Sequence, residues 1–357
     1  MRAGGPAILI SGYYGFGNLG DEAVLAGMVQ SLRARLGAVP LVVLSANPPA
    51  TSATHGVEAL PRGDLRAVLR TMRRCRLFLS GGGSLLQDAT SARSALYYLG
   101  LLRLAQVMGL RTMVYAAGLG PLRRPALRAL ARRVLERTDL VTVRDADSAA
   151  LVGALGVRQP PLLTADPAFL LHPEEVPPEV AFVDGPEALG VAVRPWRSNT
   201  FVGALGEALG DVCRLHGARV VVLPFHPRLD LPISRSVVAA CGGTLVTRPL
   251  QPRQALALIA RLQVVVGLRL HALMFAAAAG VPPVGMAYDP KVAALHRDLA
   301  LEGPVPLDAS AGTLGAAIDR AWEGAEALRP ALLAAAARLR ARAEVAAAEA
   351  ARLFAAA

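Results

Sequence analysis

A few residues stand where acid–base chemistry on an anion would need them. In Gly267-Leu268-Arg269-Leu270-His271-Ala272 an apolar run ends and a helical pattern begins. Residues i and i+2 of an extended chain share a face, so the spacing predicts that Arg269 and His271 point together. A guanidinium holds a carboxylate or phosphate through a planar fork of donors. An imidazole beside it can give or take a proton near neutral pH. Two further cations follow other apolar runs: Arg194 in Val193-Arg194-Pro195-Trp196, and Lys291 in Tyr288-Asp289-Pro290-Lys291. Arg194, Arg269, His271 and Lys291 together predict a site for a small polyanion, with His271 as proton donor. No metal site is expected. His226, in Phe225-His226-Pro227, is a competing imidazole, ranked below His271 because no cation adjoins it.

A second set of candidates lies in the N-terminal half. Gly15-Phe16-Gly17-Asn18-Leu19-Gly20-Asp21-Glu22 has the spacing of a dinucleotide-binding turn. The next apolar run ends Leu44-Ser45-Ala46-Asn47, with no acid for a ribose and no arginine for a 2′-phosphate. Asp21 and Glu22, in the first turn of the helix, would also repel a pyrophosphate. A nicotinamide cofactor is therefore not expected, and no other cofactor is called for. The plain alternative is a tight turn with a self-capped helix. Yet Tyr13, Tyr14 and Phe16 crowd this turn in a chain of 6 Tyr and 8 Phe. Rings beside Asn18 suit a sugar, with its apolar faces and its hydroxyls. In Ser80-Gly81-Gly82-Gly83-Ser84-Leu85-Leu86-Gln87-Asp88, three consecutive glycines let backbone approach a ligand. Gly82, Gly83 and Ser84 are therefore expected to face one. Arg144-Asp145 and Asp166-Pro167 are lesser candidates.

Composition excludes several classes. No Gly-Lys-Ser/Thr string exists, so there is no Walker A loop. Of 38 Lys and Arg residues only Lys291 is lysine. A GC-rich genome explains arginine wherever a generic cation serves, and leaves open why this one position differs. Cys75, Cys213 and Cys241 lie far apart, against a zinc site or a disulfide scaffold and in keeping with a reducing compartment. The formal net charge is +11, but the arginines fall in helical runs without interleaved aromatics. Nucleic acid is thus not an expected partner. Basic amphipathic faces equally suit an anionic membrane surface. The most apolar stretch, residues 254–288, is cut by Arg261, Gln263, Arg269 and His271, against a membrane span. Ala7-Ile8-Leu9-Ile10 is too short for a signal-peptide core and reads as a buried strand. A cytoplasmic protein is expected, in peripheral contact with a membrane.

The elements that must position these residues alternate in type. Residues 7–12, 41–45, 77–80, 113–117, 140–144 and 161–164 read as strands, with helices near 20–36, 64–74, 91–108, 125–136 and 146–155. The pattern resumes with strands at 191–194, 220–223, 244–247, 264–267 and 284–287. Strands separated by amphipathic helices mean crossover units and a parallel sheet covered on both faces. The expected boundaries are an N-terminal domain over 1–172, a Pro/Glu-rich linker over 173–188, a second domain over 189–328 and a terminal helix over 329–357. The expected fold class is α/β, with two Rossmann-like parallel-sheet domains facing across a cleft.

Taken in order, the strings Gly12-Tyr13-Tyr14-Gly15-Phe16-Gly17-Asn18-Leu19-Gly20-Asp21-Glu22, Gly81-Gly82-Gly83-Ser84-Leu85-Leu86-Gln87-Asp88 and Arg269-Leu270-His271 resemble the polysaccharide pyruvyl transferases. Within that family they look most like the bacterial cell-wall type, which modifies an S-layer-anchoring polysaccharide. The resemblance spans residues 7–300. It implies a GT-B-like fold, phosphoenolpyruvate (PEP) as donor and a sugar diol as acceptor, joined as a cyclic ketal with release of phosphate. Carried over by motif, Arg269 and His271 match the PEP-site arginine and the proton donor. Lys291 matches a donor-site lysine, and Arg194 the cation that opens the second domain. Tyr14, Phe16 and Asn18 match the aromatic turn on the acceptor side, to which Gly82, Gly83, Ser84 and Arg144 are also assigned. The implied acceptor is a lipid-linked disaccharide bearing N-acetylmannosamine, in keeping with contact at the inner membrane face. Two other readings stay open. A GT-B glycosyltransferase using a nucleotide sugar would carry acids for ribose and sugar hydroxyls on its donor edge, where this chain is rich in Arg, His and Lys. A non-catalytic sugar-binding protein would not need the full set of Arg194, Arg269, His271 and Lys291.

Overall fold

The computed structural model describes residues 6–89, 91–178, 180 and 188–357. The chain forms two α/β units, each with its own parallel sheet. The first takes the residues up to Phe16, Asp21–Leu170 and Leu339–Ala357; the second takes Gly17–Gly20 and Leu171–Arg338.

In the first unit the order is β1 Ala7–Ser11, α1 Leu19–Leu36, β2 Leu41–Ser45, α2 Pro48–His55, β3 Glu58–Pro61, α3 Leu65–Met72, β4 Cys75–Ser80, β5 Gly83–Leu86, α4 Ala92–Val107, β6 Arg111–Leu119, α5 Pro125–Leu135, β7 Leu140–Val143, α6 Ala146–Ala154 and β8 Leu162–Leu163. Every residue of β1 and β2 is buried. Such uninterrupted apolar runs are what a parallel strand covered on both faces requires. The sheet order is β3-β2-β1-β4-β6-β7-β8, with β5 beside β6. Leu9 of β1 lies opposite Val42 on one side and Phe78 on the other. Chain order reverses between β1 and β4, the switch point where doubly wound sheets bind ligands at their carboxyl ends. Both glycine-bearing motifs follow those two strands.

The second unit continues with β9 Ala188–Ala192, α7 Phe201–His216, β10 Arg219–Val222, α8 Pro227–Cys241, β11 Thr244–Leu245, α9 Pro252–Ile259, β12 Val264–Gly267, α10 Leu270–Ala278, β13 Pro283–Ala287, α11 Pro290–Asp298, β14 Val305–Pro306, α12 Ala311–Glu323 and α13 Ala325–Ala355. Its sheet order is β11-β10-β9-β12-β13-β14, and the reversal lies between β9 and β12. Of the expected linker, Glu179 and residues 181–187 lie outside the described residues.

The terminal helix starts at Ala325, and its last part belongs to the first unit. Ala343, Ala346, Ala347 and Ala350 recur at helical spacing, with almost no exposed surface. Ala346, Ala347, Ala350, Leu353 and Phe354 pack with Ile8, Ile10, Leu25, Met28 and Tyr115. Arg342 Nη2 donates to the Thr164 carbonyl at 2.7 Å, and Arg340 Nε to that of Phe169 at 3.0 Å. From Leu339 onward, the helix expected over 329–357 belongs to the first unit and packs into its core. Burying each large apolar side chain contributes about 1.5–3 kcal/mol.

Candidate functional site

In the second unit, four adjacent strands end on functional candidates: β10 before His226, β9 before Arg194, β12 before Arg269 and His271, β13 before Lys291. Arg194 Nε is buried with no hydrogen-bond partner. Its guanidinium carbon lies 5.9 Å from the Trp196 ring and 5.4 Å from that of Tyr288. Lys291 Nζ is 5.3 Å from the same Tyr288 ring, so one aromatic bridges two cations. Trp196 meets Tyr288 edge to face at 5.1 Å. Asp289 caps α11, accepting the Lys291 N–H at 3.1 Å, with its other oxygen 3.5 Å from Nζ. Lys291 therefore occupies a helix first turn, where a cation opposes the helix dipole and an anion is favoured.

Arg269 is the N-cap of α10, so His271 lies in the first helical turn. The strand alternation expected to align the two does not apply; the strand-to-helix junction brings them to one edge. The N–H groups of Leu268 and Arg269 both donate to the Ala192 carbonyl, at 3.0 and 3.1 Å. A Cβ on Gly267 would lie 2.2 Å from that oxygen, so this approach of β12 to β9 requires glycine. Arg269 Nε donates to Asp230 Oδ2 at 2.9 Å, and Nη2 pairs with Oδ1. Asp230, in the first turn of α8, is fully buried and also accepts the His226 N–H at 2.8 Å. The sequence reading missed Asp230; its one signal was an acid four residues after a histidine.

His226 ranked low for want of an adjoining cation, yet the fold supplies Arg269 through their shared carboxylate. Its Nδ1 is buried without a hydrogen-bond partner, and burial, then the charge of Arg269, push its pKa below the ordinary histidine value. The Gly17–Gly20 segment completes this unit. Leu19 N–H donates to the Phe225 carbonyl at 2.7 Å. Asn18 Oδ1 accepts the Gly20 N–H at 3.2 Å. A Cβ on Gly20 would fall 2.2 Å from His271 Nδ1, so the imidazole fills the space that this glycine leaves.

In the first unit the aromatic turn divides its rings. Tyr14, expected at the acceptor, is fully buried, and among the described residues its hydroxyl reaches Met28 Sδ alone, at 3.5 Å. A Cβ on Gly12 or Gly81 would strike its ring or hydroxyl at 2.3 Å. Burial raises its pKa well above the ordinary tyrosine value. Phe16 stays half-exposed, stacked on Tyr13 at 4.1 Å and 9°. Glu22 secures the turn, accepting the Gly15 N–H at 2.8 Å and meeting His55 Nε2 at 3.0 Å.

The triple glycine is likewise filled by protein rather than open to a ligand. A Cβ on Gly82 would meet Val24 at 2.7 Å, and one on Gly83 would meet Asp21 Oδ1 at 2.8 Å. Gly83 also needs its positive φ of 89°. Arg144, expected at the acceptor, is 5% exposed. It bonds Asp166 Oδ2 at 2.7 Å and Ser84 Oγ at 3.1 Å, with Asp145 at 3.5 Å. A buried cation with two acids holds the loop together. Phe16 and Ser84 of this unit, and Asn18 of the second, remain partly exposed. The reading also missed Arg62, whose guanidinium lies 4.3 Å from the Tyr97 ring and 5.1 Å from that of Phe16.

Among the described residues no helix is long and apolar enough to cross a membrane. No curated protein matches the chain. Several solved structures share its fold. A UDP-N-acetylglucosamine 2-epimerase of Listeria monocytogenes is 12% identical with a TM-score of 0.67, over 95% of this chain and 94% of that one. The UDP-GlcNAc 2-epimerase of Neisseria meningitidis, bound to UDP-GlcNAc, is 10% identical with a TM-score of 0.63, over 95% and 98%. A glycosyltransferase of Rickettsia africae is 8% identical with a TM-score of 0.57, over 98% and 96%. At such identities the likeness shows the fold alone: two Rossmann-like domains of the GT-B-like kind. The family model for polysaccharide pyruvyl transferases matches residues 18–290, taking in Arg194, Asp230, Arg269 and His271 and stopping one residue short of Lys291. On that match, over well more than half of its length, the chain belongs to the polysaccharide pyruvyl transferase family.

Proposed function

We propose that this chain transfers the pyruvyl group of PEP to two hydroxyls of one sugar, forming a cyclic ketal and releasing phosphate. Family membership supports polysaccharide pyruvylation in general. The observation that carries PEP as donor is the gathering of Arg194, Arg269 and Lys291 with His271 on one sheet edge. PEP offers a carboxylate and a phosphate, and these cations are the chemistry that recognises both.

His271, as imidazolium, gives its proton to the PEP methylene carbon while a sugar hydroxyl adds to C2. The C–O bond to phosphate then breaks, and the second hydroxyl closes the ring at C2. Two hydroxyl protons are released per turnover; one restores His271 and the other leaves on phosphate. Arg194, Arg269 and Lys291 hold the anion and stabilise the departing charge. In the first unit, Phe16 and Ser84 are the acceptor contacts we retain, with Tyr14, Gly82, Gly83 and Arg144 shaping that edge from behind; in the second unit, Asn18 is retained as an acceptor candidate. The acceptor we favour is a lipid-linked disaccharide bearing N-acetylmannosamine, met at the inner membrane face by a cytoplasmic enzyme.

The test supplies PEP and that acceptor and follows phosphate release and ketal formation. His271→Ala should lose about 10²–10⁴-fold in kcat with little change in PEP affinity. Near-wild-type turnover by that variant would remove the acid assignment. Saturable UDP-sugar binding without PEP binding would overturn the whole reading.

A further inference from the structure

Among the arginines of the candidate sites, Arg144, Arg269 and Arg194 fall into two kinds. Arg144 and Arg269 are paired with the buried carboxylates of Asp166 and Asp230. Arg194 has no carboxylate partner among the described residues and lies over the rings of Trp196 and Tyr288. Arg62, half-buried in the first unit, repeats the second arrangement. Its guanidinium carbon is 4.3 Å from the Tyr97 ring centroid, 5.1 Å from Phe16 and 5.6 Å from Tyr98. No described carboxylate pairs with it. Tyr97 Oη donates to the Arg62 carbonyl at 2.9 Å, which fixes the main chain, while the Tyr13 stack fixes the Phe16 ring. Arg62 follows β3, on the same carboxyl edge of the sheet as the aromatic turn after β1.

We infer that Arg62 is an anion-binding residue for the acceptor, taking a phosphate or carboxylate carried beside the sugar that is to be modified. This deepens the proposed function and rests on it for the identity of the acceptor. Ring faces attract a guanidinium and shield it from water, but they leave its positive charge uncompensated. An anionic oxygen reaching its N–H edge forms a charge-assisted bond of the strong kind. A guanidinium already held between rings loses little freedom when that bond forms. Contact with Phe16 places this charge at the motif that carries the acceptor assignment. Two sources share the chemistry: the phosphate that joins a sugar to its carrier, and the carboxylate of an acidic sugar.

Calorimetric titration of the full chain separates them, using three probes: a disaccharide bearing N-acetylmannosamine as its alkyl diphosphate, the same disaccharide as a neutral alkyl glycoside, and a version containing a uronic acid. The wild type should bind one anionic probe about tenfold or more tighter than the neutral one, with the preference falling as salt is added. Preference for the diphosphate assigns the carrier linkage; preference for the uronate assigns an acidic sugar. Arg62→Gln should bring the preference to within about twofold, and Arg62→Lys should keep part of it, as a point charge without the planar fork. A wild type without preference, or an Arg62→Gln chain that keeps it, overturns the inference. So does an Arg62→Gln chain that loses PEP affinity instead, since Arg62 would then serve the donor. Calorimetry needs no turnover, so a chain that transfers no pyruvyl group but still discriminates by charge fails the proposed function and not this inference.

Discussion

Asp230→Asn changes one oxygen to nitrogen at the centre of the proposed donor site, and its consequences can be worked through atom by atom. Three donors converge on two carboxylate oxygens: Arg269 Nε and the His226 N–H on Oδ2, and Arg269 Nη2 on Oδ1. An asparagine of the same shape offers one acceptor oxygen. In either orientation its NH₂ group must face at least one of those donors, and the negative charge is gone. Breaking a buried pair by neutralising one partner costs about 3–5 kcal/mol. The Asp230 side chain is 0% exposed but that of Arg269 is 11% exposed, so the arginine can find some water and the lower end, about 3 kcal/mol, applies. Both tryptophans of the chain, Trp196 and Trp322, lie in the second unit, so their fluorescence during urea unfolding reports that unit alone. With a slope of about 3 kcal/mol per molar, the midpoint should fall by about 1 M. Phosphate-release kinetics give the second readout. A displacement of Arg269 by about 1 Å should lower kcat/KM for PEP about 100-fold. An unchanged midpoint would refute the claim that this carboxylate holds the unit's edge together. A lowered midpoint with wild-type kcat/KM would refute the claim that it aims Arg269 at the substrate.

Three further outcomes follow from the geometry. Tyr14→Phe should leave the acceptor KM unchanged and shift stability by less than about 1 kcal/mol, because the hydroxyl is buried and bonded to the Met28 thioether; a tenfold rise in acceptor KM would show that Tyr14 reaches the substrate. Lys291→Arg should lower kcat/KM for PEP by about tenfold, since a planar fork cannot reproduce a compact ammonium beside Tyr288 and Asp289; unchanged kinetics would return the lone lysine to chance. Stability should fall in acid through His296, whose Nε2 accepts the Gly285 N–H at 3.2 Å while Nδ1 donates to the Glu302 carbonyl. Burial pushes its pKa below the ordinary value, as it does for His226. The unfolded chain therefore binds these protons first: the stabilisation is complete above about pH 6.5 and is lost as pH falls toward the folded values, by up to about 1.4 kcal/mol per pH unit for each group. A tryptophan-monitored urea midpoint that stays constant from about pH 8 to about pH 5 would contradict this.

The alternating pattern was legible because parallel strands are continuous apolar runs, and the donor candidates were legible because they follow such runs. What failed had physical reasons. β3, Glu58–Pro61, is a short edge strand of mixed residues with no buried run to announce it. α13 shows helix propensity in its alanines, but only the fold shows that Ala346 and Ala350 pack against β1. Tyr14 and Phe16 are two residues apart in one turn, and nothing in their chemistry says which ring turns inward. Three glycines suggested an open loop, whereas Tyr14, Val24 and Asp21 fill the space that their missing side chains leave. Arg144 and Arg194 both follow a strand, but Asp166, 22 residues further on, neutralises only the first.

This last contrast matters in a chain whose cations are nearly all arginine, because counting them says nothing about where an anion is drawn. Pairing does. A guanidinium locked on a buried carboxylate presents little net charge, so in the proposed donor site Arg269 would orient an anion more than attract it. Arg194, with a buried unpartnered Nε, two aromatic rings against its guanidinium and no carboxylate partner among the described residues, keeps its field. It follows that Arg269→Gln is a poor measure of anion recognition: it would leave Asp230 buried, charged and uncompensated beside the substrate, and its effect would mix lost attraction with new repulsion. Arg194→Gln breaks no ion pair. It should weaken PEP binding by about 10–100-fold while the tryptophan-monitored midpoint moves by less than about 1 kcal/mol. Wild-type PEP affinity in that variant would mean that an unpaired arginine on aromatic rings is packing in this fold rather than recognition, and the case for Arg62 would weaken with it.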